Sequence, residues 1–173
     1  MNITLVGFMG TGKSSVGRLL AKRLGMRFVD TDAIIEKETG ASISEIFAKH
    51  GEQKFRDIER DVVRRVALED NLVISAGGGV VLRKENIDDL KRNGPVICLT
   101  ATPEEIWARV KKSSHRPLLM VSDPLARIRE LLAAREPAYA LADAQVETTG
   151  ISIAEVAEKV MAAVERWKAE RGK

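Results

Sequence analysis

Short apolar runs alternate along the chain with longer stretches in which apolar residues recur every three or four positions. Ile3-Thr4-Leu5-Val6 predicts a strand, and Ser14 to Leu24 follows with Val16, Leu19, Leu20 and Leu24 at helical spacing. Phe28-Val29 predicts a second strand ending at Asp30. Leu72-Val73-Ile74, Val96-Ile97-Cys98-Leu99 and Gln145-Val146-Glu147-Thr148 are further strands, with helical patterns between them. Three of those helices begin on a capping signature, a hydroxyl residue with glutamate three positions on: Ser42/Glu45, Thr102/Glu105 and Ser152/Glu155. Pro103 stands at the favoured first helical position. Apolar strands separated by amphipathic helices predict an α/β fold, a parallel sheet covered on both faces.

Two stretches break this rhythm. Residues 32–68 read as helical throughout, with turns near Gly40 and Gly51, and are longer than one crossover needs. They predict an inserted helical subdomain. Residues 111–124 are polar and basic, interrupted by Pro117 and Pro124, and without periodicity. A loop of that length in a compact domain predicts a lid.

The chain has 173 residues, 45% of them hydrophobic, enough for one well-buried domain and too little for two of ordinary size. Its formal charge of +3, from 28 basic and 25 acidic residues, is spread along helix faces. A pI of 9.1 is compatible with nucleic acid, but a binding face needs a clustered stripe. The same excess suits an anionic small substrate gripped by a few converging cations. Cys98 is the only cysteine and sits in an apolar strand, which excludes an intrachain disulfide and predicts a small core residue. Met1 leads straight into a strand, and no apolar run approaches the roughly 20 residues of a membrane span. These features predict a cytoplasmic protein.

Gly7-Phe8-Met9-Gly10-Thr11-Gly12-Lys13-Ser14 matches G-x-x-x-x-G-K-[ST], after a strand and before a helix. Glycines let the backbone wrap around phosphate oxygens and turn N–H groups inward, and the helix N-terminus adds partial positive charge. Lys13 would neutralise the β- and γ-phosphates, and the Ser14 hydroxyl would bind Mg²⁺. A nucleotide site with Gly10, Thr11, Gly12, Lys13, Ser14 and Ser15 around the phosphates is expected.

Such sites usually take an acid from the end of another strand to support the metal. Leu72-Val73-Ile74-Ser75 runs into Ala76-Gly77-Gly78-Gly79 with no acid, so the acid must come from elsewhere. Asp30-Thr31-Asp32 closes the second strand. Residues two apart on a strand share a face, which would aim both carboxylates at the site, one for the metal and one for the proton of an attacking hydroxyl. The alternative is that both are turn and cap residues. Gly77-Gly78-Gly79 reads either as backbone brought close to a ligand or as a tight turn.

Four arginines stand out by setting: Arg56 on the insertion, Arg109 on the helix before the lid, Arg116 in the lid, and Arg135 where Pro137 is expected to disturb a helix. Beside an ATP site they suggest one lid arginine for phosphate charge and others for a substrate carboxylate, which the planar guanidinium binds bidentately. His50 and His115 lack metal-ligand spacing and read as exposed or turn residues. Trp107 and Trp167 read as packing residues on helices.

With these segments in order, the chain resembles the shikimate kinase family. The resemblance is carried by Gly7 to Ser14, Asp30-Thr31-Asp32, and Ile46-Phe47 through Gly51-Glu52-Gln53-Lys54-Phe55-Arg56 to Glu59. It continues through Gly77-Gly78-Gly79, Arg116-Pro117-Leu118-Leu119, and Arg135 through Pro137 to Tyr139. It covers nearly the whole chain. It implies a nucleoside-monophosphate-kinase-like P-loop fold with a five-stranded parallel sheet, a substrate-binding helical insertion over about 32–68 and a mobile lid over about 111–124. It also implies ATP, Mg²⁺, transfer to the shikimate 3-hydroxyl and a place in aromatic amino-acid biosynthesis; a monomer is expected, and the dispersed charge and short apolar runs predict neither nucleic-acid nor membrane partners. By position, Ser14 would ligate Mg²⁺ and Asp30 would support it through water. Asp32 would bind the ring hydroxyls as candidate base, and Arg56 and Arg135 would hold the carboxylate. Gly78, with its neighbours Gly77 and Gly79, would contact substrate; Phe47, Phe55 and Glu59 would shape the pocket. Arg116 would close over the transferring phosphoryl group, and Arg109 would lie against adenine. The second adenine-side loop, residues 148–152, lacks the basic or amide side chain often found there.

Three rivals share parts of this pattern. A gluconate kinase would also bind a carboxylated polyol on this fold, a nucleoside monophosphate kinase would share the cradle, and a nucleotide-binding switch would need no turnover. The F-R-x-x-E and R-P-L-L segments favour shikimate over gluconate. Two aromatic side chains in the insertion disfavour a nucleobase, and no guanine-reading N-K-x-D motif is present.

Overall fold

The computed structural model describes residues 1–112 and 117–172. Five strands, β1 (Ile3–Val6), β2 (Arg27–Asp30), β3 (Leu72–Ser75), β4 (Val96–Thr100) and β5 (Ala144–Glu147), form one sheet in the order β2-β3-β1-β4-β5. Every pairing is parallel; Leu5 stands opposite Ser75 on one side and Ile97 on the other. The three inner strands are buried almost throughout, whereas β2 and β5, on the edges, are partly exposed. That difference follows from helices covering both faces of the sheet but not its edges.

Alternate residues of the strands feed two cores. Ile3, Leu5, Val73, Ile97 and Leu99 pack with Val16, Leu20, Val156 and Val160, which belong to α1 (Lys13–Leu24) and α7 (Ile153–Arg171). Val6, Leu72, Ile74, Val96 and Cys98 point the other way, into the larger core. That core is roofed by α2 (Thr31–Thr39), α3 (Ile43–Ala67), α4 (Lys84–Lys91), α5 (Pro103–Val110) and α6 (Pro124–Tyr139). Cys98 is fully buried there, and burial pushes its thiol up to about 11. No helix of the described residues is long and apolar enough to cross a membrane.

The stretch 32–68 is helical, with its turns at the two glycines where they were expected: α2 stops at Gly40 in the left-handed region (φ 67), and α3 kinks at Gly51 (φ 78, ψ 168). Local departures elsewhere have identifiable causes. Ser42 and Ser152 make full capping boxes with Glu45 and Glu155. Thr102 caps the Glu105 N–H, but its own N–H donates to Thr149 Oγ1, and the Glu105 carboxylate accepts from Arg109 instead. Pro137 does not break its helix. It falls in the last turn of α6, where it forfeits one i→i−4 bond, to the Ala133 carbonyl, but little helix follows, and the helix runs on to Tyr139. Of the stretch 111–124, the described part holds one 3₁₀ turn, Pro117–Leu119, and the Asp123 cap of α6.

Candidate active site at the carboxyl ends of the strands

The loop between β1 and α1 opens the site. Gly12 takes φ 91 immediately before the helix, a conformation a side chain would strain. No side chain caps α1, and no acid lies in its first turn, so its leading N–H groups face outward for an anion. Lys13 Nζ arches back over the loop, donating to the Gly7 carbonyl at 2.7 Å and the Phe8 carbonyl at 2.9 Å. Thr11 is buried with Oγ1 donating to the Phe8 carbonyl, which braces the loop from inside, while the Ser15 side chain is exposed on α1. Arg109, on α5, reaches across to the same loop. Nη1 donates to the Gly10 carbonyl at 3.1 Å and Thr148 Oγ1 at 3.0 Å, and Nη2 donates to the Thr148 carbonyl. The arginine and residue 148 of the β5–α7 loop thus meet at one end of the cradle.

Asp30 and Asp32 reach the site by a route other than strand pleating. The carboxylate of Asp30 accepts from the Asp32 and Ala33 N–H groups at 3.0 and 3.2 Å, so it caps α2, and the chain is already helical at Thr31. Asp32 therefore lies in the first turn of α2, not on the strand. The cap leaves one carboxylate oxygen of Asp30 facing the cradle. Its Oδ1 serves the helix, while its Oδ2 accepts from the Ser14 hydroxyl at 2.7 Å.

Ser14 Oγ is also 3.2 Å from Ser75 Oγ. Ser75 ends β3 beside β1, where an acid was sought in the sequence; a hydroxyl stands there instead. Among the described residues no three His, Cys, Asp or Glu side chains gather as a metal cage. Two hydroxyls and one carboxylate beside a phosphate cradle do suit Mg²⁺, which keeps several waters and takes its other oxygens from phosphates.

Next to the cradle lies a pocket of about 550 Å³. Asp30, Asp32, Phe47, Phe55, Arg56 and Arg135 all line it, with Glu59, Gly78 and Gly79 beside them, and the two arginines are its most deeply buried cations. The two phenylalanine rings sit 5.0 Å apart, tilted by 43°, and make an apolar wall. Arg56 and Arg135 are 8% and 4% exposed, well below what surface arginines show. Arg56 Nη1 donates to Glu59 Oε1 at 2.9 Å and Nη2 to Glu52 Oε1 at 3.2 Å. Glu59 is 1% exposed; burial raises its pKa, opposed by Arg56 and reinforced by the nearby Asp32 charge. A Cβ at Gly79 would fall 2.3 Å from the Arg56 guanidinium nitrogens, so any side chain there would push the guanidinium aside. Gly77 lies behind the pocket wall, where its N–H donates to Thr31 Oγ1 at 3.0 Å.

The fold thus brings together one phosphate cradle and one pocket lined by acids and arginines, with Asp30 and Asp32 between them. Arg116 lies outside the described residues. Ser75, Thr31 and Tyr139 belong to the site's framework and received no role from sequence. Tyr139, four residues after Arg135, was readable only as a residue on the same helical face.

The family model for shikimate kinase matches residues 9–165. A curated shikimate kinase from Thermodesulfovibrio yellowstonii is 52% identical over 165 residues, 95% of each chain. One from Caldanaerobacter subterraneus is 48% identical, covering 96% of this chain and 98% of its own. The solved structure of the Acinetobacter baumannii shikimate kinase in complex with shikimate superposes with a TM-score of 0.93 at 39% identity, over 96% of this chain and 94% of that one. With the family model spanning most of the chain and relatives of about 50% identity covering nearly all of it, the chain belongs to the shikimate kinase family.

Proposed function

We propose that the chain transfers the γ-phosphoryl group of ATP to the 3-hydroxyl of shikimate, giving shikimate 3-phosphate and ADP for aromatic amino-acid biosynthesis. The observation that carries this reading is the pair of buried arginines, Arg56 and Arg135, lining a pocket that shares Asp30 and Asp32 with the phosphate cradle. A buried guanidinium facing a cavity calls for an anion, and its planar fork fits a carboxylate. Phe47 and Phe55 give a small carbocycle an apolar wall. Glu59 holds Arg56 in place.

In this reading the substrate carboxylate sits on the arginines and its hydroxyls face Asp32. Asp32 accepts the proton of the attacking hydroxyl, or holds that hydroxyl in line. The new O–P bond forms at the γ-phosphorus as the bond to the β-phosphate oxygen breaks, and ADP leaves with that oxygen. Lys13 and the α1 N-terminus hold the phosphates, and Arg109 lies against adenine. Ser14 and Asp30, with Ser75 beside them, would hold Mg²⁺, which when bound neutralises phosphate charge. α2 and the first half of α3 serve as the substrate-binding insertion. The stretch 111–124 closes as a lid that brings in Arg116. The protein works as a cytoplasmic monomer on these two small anions, and its dispersed charge supports a role without nucleic acid.

The test is ADP release, coupled to an optical readout, with shikimate, gluconate and AMP supplied in parallel. Turnover with shikimate alone is expected. Equal or faster turnover with gluconate or AMP would overturn the reading, and ATP hydrolysis indifferent to all three would point to a switch.

A further inference from the structure

α6 carries Tyr139 one helical turn beyond Arg135, beneath the turn formed by the glycine triplet. The tyrosine is 6% exposed and its ring belongs to the larger core. A phenylalanine would fill that volume equally well, and burying a hydroxyl is costly unless it is bonded. The hydroxyl donates to the Gly78 carbonyl oxygen at 2.8 Å, and the Arg135 guanidinium lies beside it as a donor to it. Burial raises the phenol to about 12, against the pull of Arg135 beside it, so it remains a donor across the working pH range.

The bond has a geometric consequence one residue on. The described chain contains no cis peptide, and in a trans unit the carbonyl and the following N–H point opposite ways. With the Gly78 carbonyl turned onto Tyr139, the Gly79 N–H is turned away from α6. Gly79 is buried, lines the pocket, and lies against the Arg56 guanidinium. Its N–H meets no protein acceptor among the described residues. A buried amide donor is normally satisfied, and a carboxylate oxygen seated on Arg56 would satisfy this one.

We propose that Tyr139 is a positioning residue for substrate recognition: by holding the Gly78 carbonyl it aims the Gly79 N–H at the substrate carboxylate, a third donor beside Arg56 and Arg135. The proposal deepens the acid-substrate reading above and rests on it. Without the hydroxyl the Gly78–Gly79 peptide is free to rotate, and the donor is lost from the pocket although Gly79 itself is unchanged.

The variant is Tyr139→Phe, assayed beside the wild type with shikimate and with its neutral carboxamide. The KM for shikimate should rise about tenfold, the scale of one hydrogen bond to a charged group. ATP affinity measured without shikimate should not change. The loss should be smaller with the carboxamide, so that discrimination between acid and amide narrows. A general structural role would instead weaken ATP and shikimate alike. An unchanged KM, or equal losses with acid and amide, overturns the proposal. A second measurement uses only the wild type: with glycine-selective ¹⁵N labelling, the Gly79 amide proton should move downfield on addition of shikimate. No movement overturns the proposal however the variant behaves. A wild type that turns over shikimate beside an unaltered Tyr139→Phe refutes this proposal alone, whereas a wild type inert towards shikimate refutes the functional reading and this one with it.

Discussion

Arg135→Met separates a residue kept for its ligand from one kept for the fold. Arg135 is 4% exposed. Its guanidinium carbon stands 5.5 Å from the Phe8 ring centroid, and it lies beside the Tyr139 hydroxyl. No carboxylate of the described residues forms an ion pair with it, whereas Arg56 across the pocket is held by Glu52 and Glu59. In the ligand-free protein Arg135 is thus a desolvated cation supported by an aromatic face and the Tyr139 hydroxyl rather than by a carboxylate. Losing that face costs about 0.5–2 kcal/mol. Removing a poorly compensated buried charge offsets this, because such charges are expensive to hold out of water. Methionine keeps the aliphatic reach without the charge. The expected Tm is therefore unchanged or higher, by about 2–4 °C for each kcal/mol gained in a chain of this size. Binding moves the other way. Losing one partner of a buried, hydrogen-bonded charge pair costs about 2–5 kcal/mol, so kcat/KM for shikimate should fall roughly thirty-fold to a few thousand-fold. The assay pairs differential scanning calorimetry with coupled ADP release across a shikimate titration, and ATP affinity measured without shikimate serves as control. Arg135→Lys should recover part of the loss, since an ammonium lacks the bidentate fork. A variant that melts several degrees lower and keeps wild-type shikimate kinetics would show that Arg135 serves the core, and would refute the reasoning.

Lys13→Met should nearly abolish transfer and leave thermal unfolding unchanged, because Nζ lies over the loop rather than in the core; near-normal turnover would count against its role. Asp32→Asn should lower kcat strongly, while Asp30→Asn, still a competent helix cap, should mainly shift the Mg²⁺ titration; identical titrations and turnover in both would dissolve that division of labour. Gly79→Ala has a permitted backbone (φ −99) but forces the Arg56 guanidinium from its seat, so the shikimate KM should rise by about a hundredfold, the scale of a small misplacement, with ATP binding intact by calorimetry. Cys98, fully buried with its thiol at about 11, should resist alkylation at pH 8 until denaturant is added. Its neutral form stabilises the fold fully below the ordinary thiol value of 9.0, and that contribution is lost as pH rises towards 11.

Much of the architecture follows from local sequence. Strand and helix periodicity located five strands within a residue or two, because each is a short apolar run between capped amphipathic helices. The phosphate loop was equally legible, since its chemistry resides in backbone conformation and contiguous residues carry all of it. Where the local reading went astray, a neighbour outside the window decided. Asp32 was read as sharing a strand face with Asp30, yet Asp30 ends β2 and its carboxylate gathers two N–H groups that start a helix at the next residue. Pro137 was read as disturbing a helix, yet its position in the final turn leaves little helix to disturb. The pocket itself is a product of tertiary packing alone. Nothing local says that Arg56 and Arg135, 79 positions apart in the chain, line one cavity, or that Ser75 completes the hydroxyl pair at Ser14. Nor does it say that a tyrosine on α6 holds the peptide between two glycines after β3. These contacts exist because the parallel sheet, in the order β2-β3-β1-β4-β5, delivers the carboxyl ends of separate strands to one edge, where side chains far apart in sequence become neighbours.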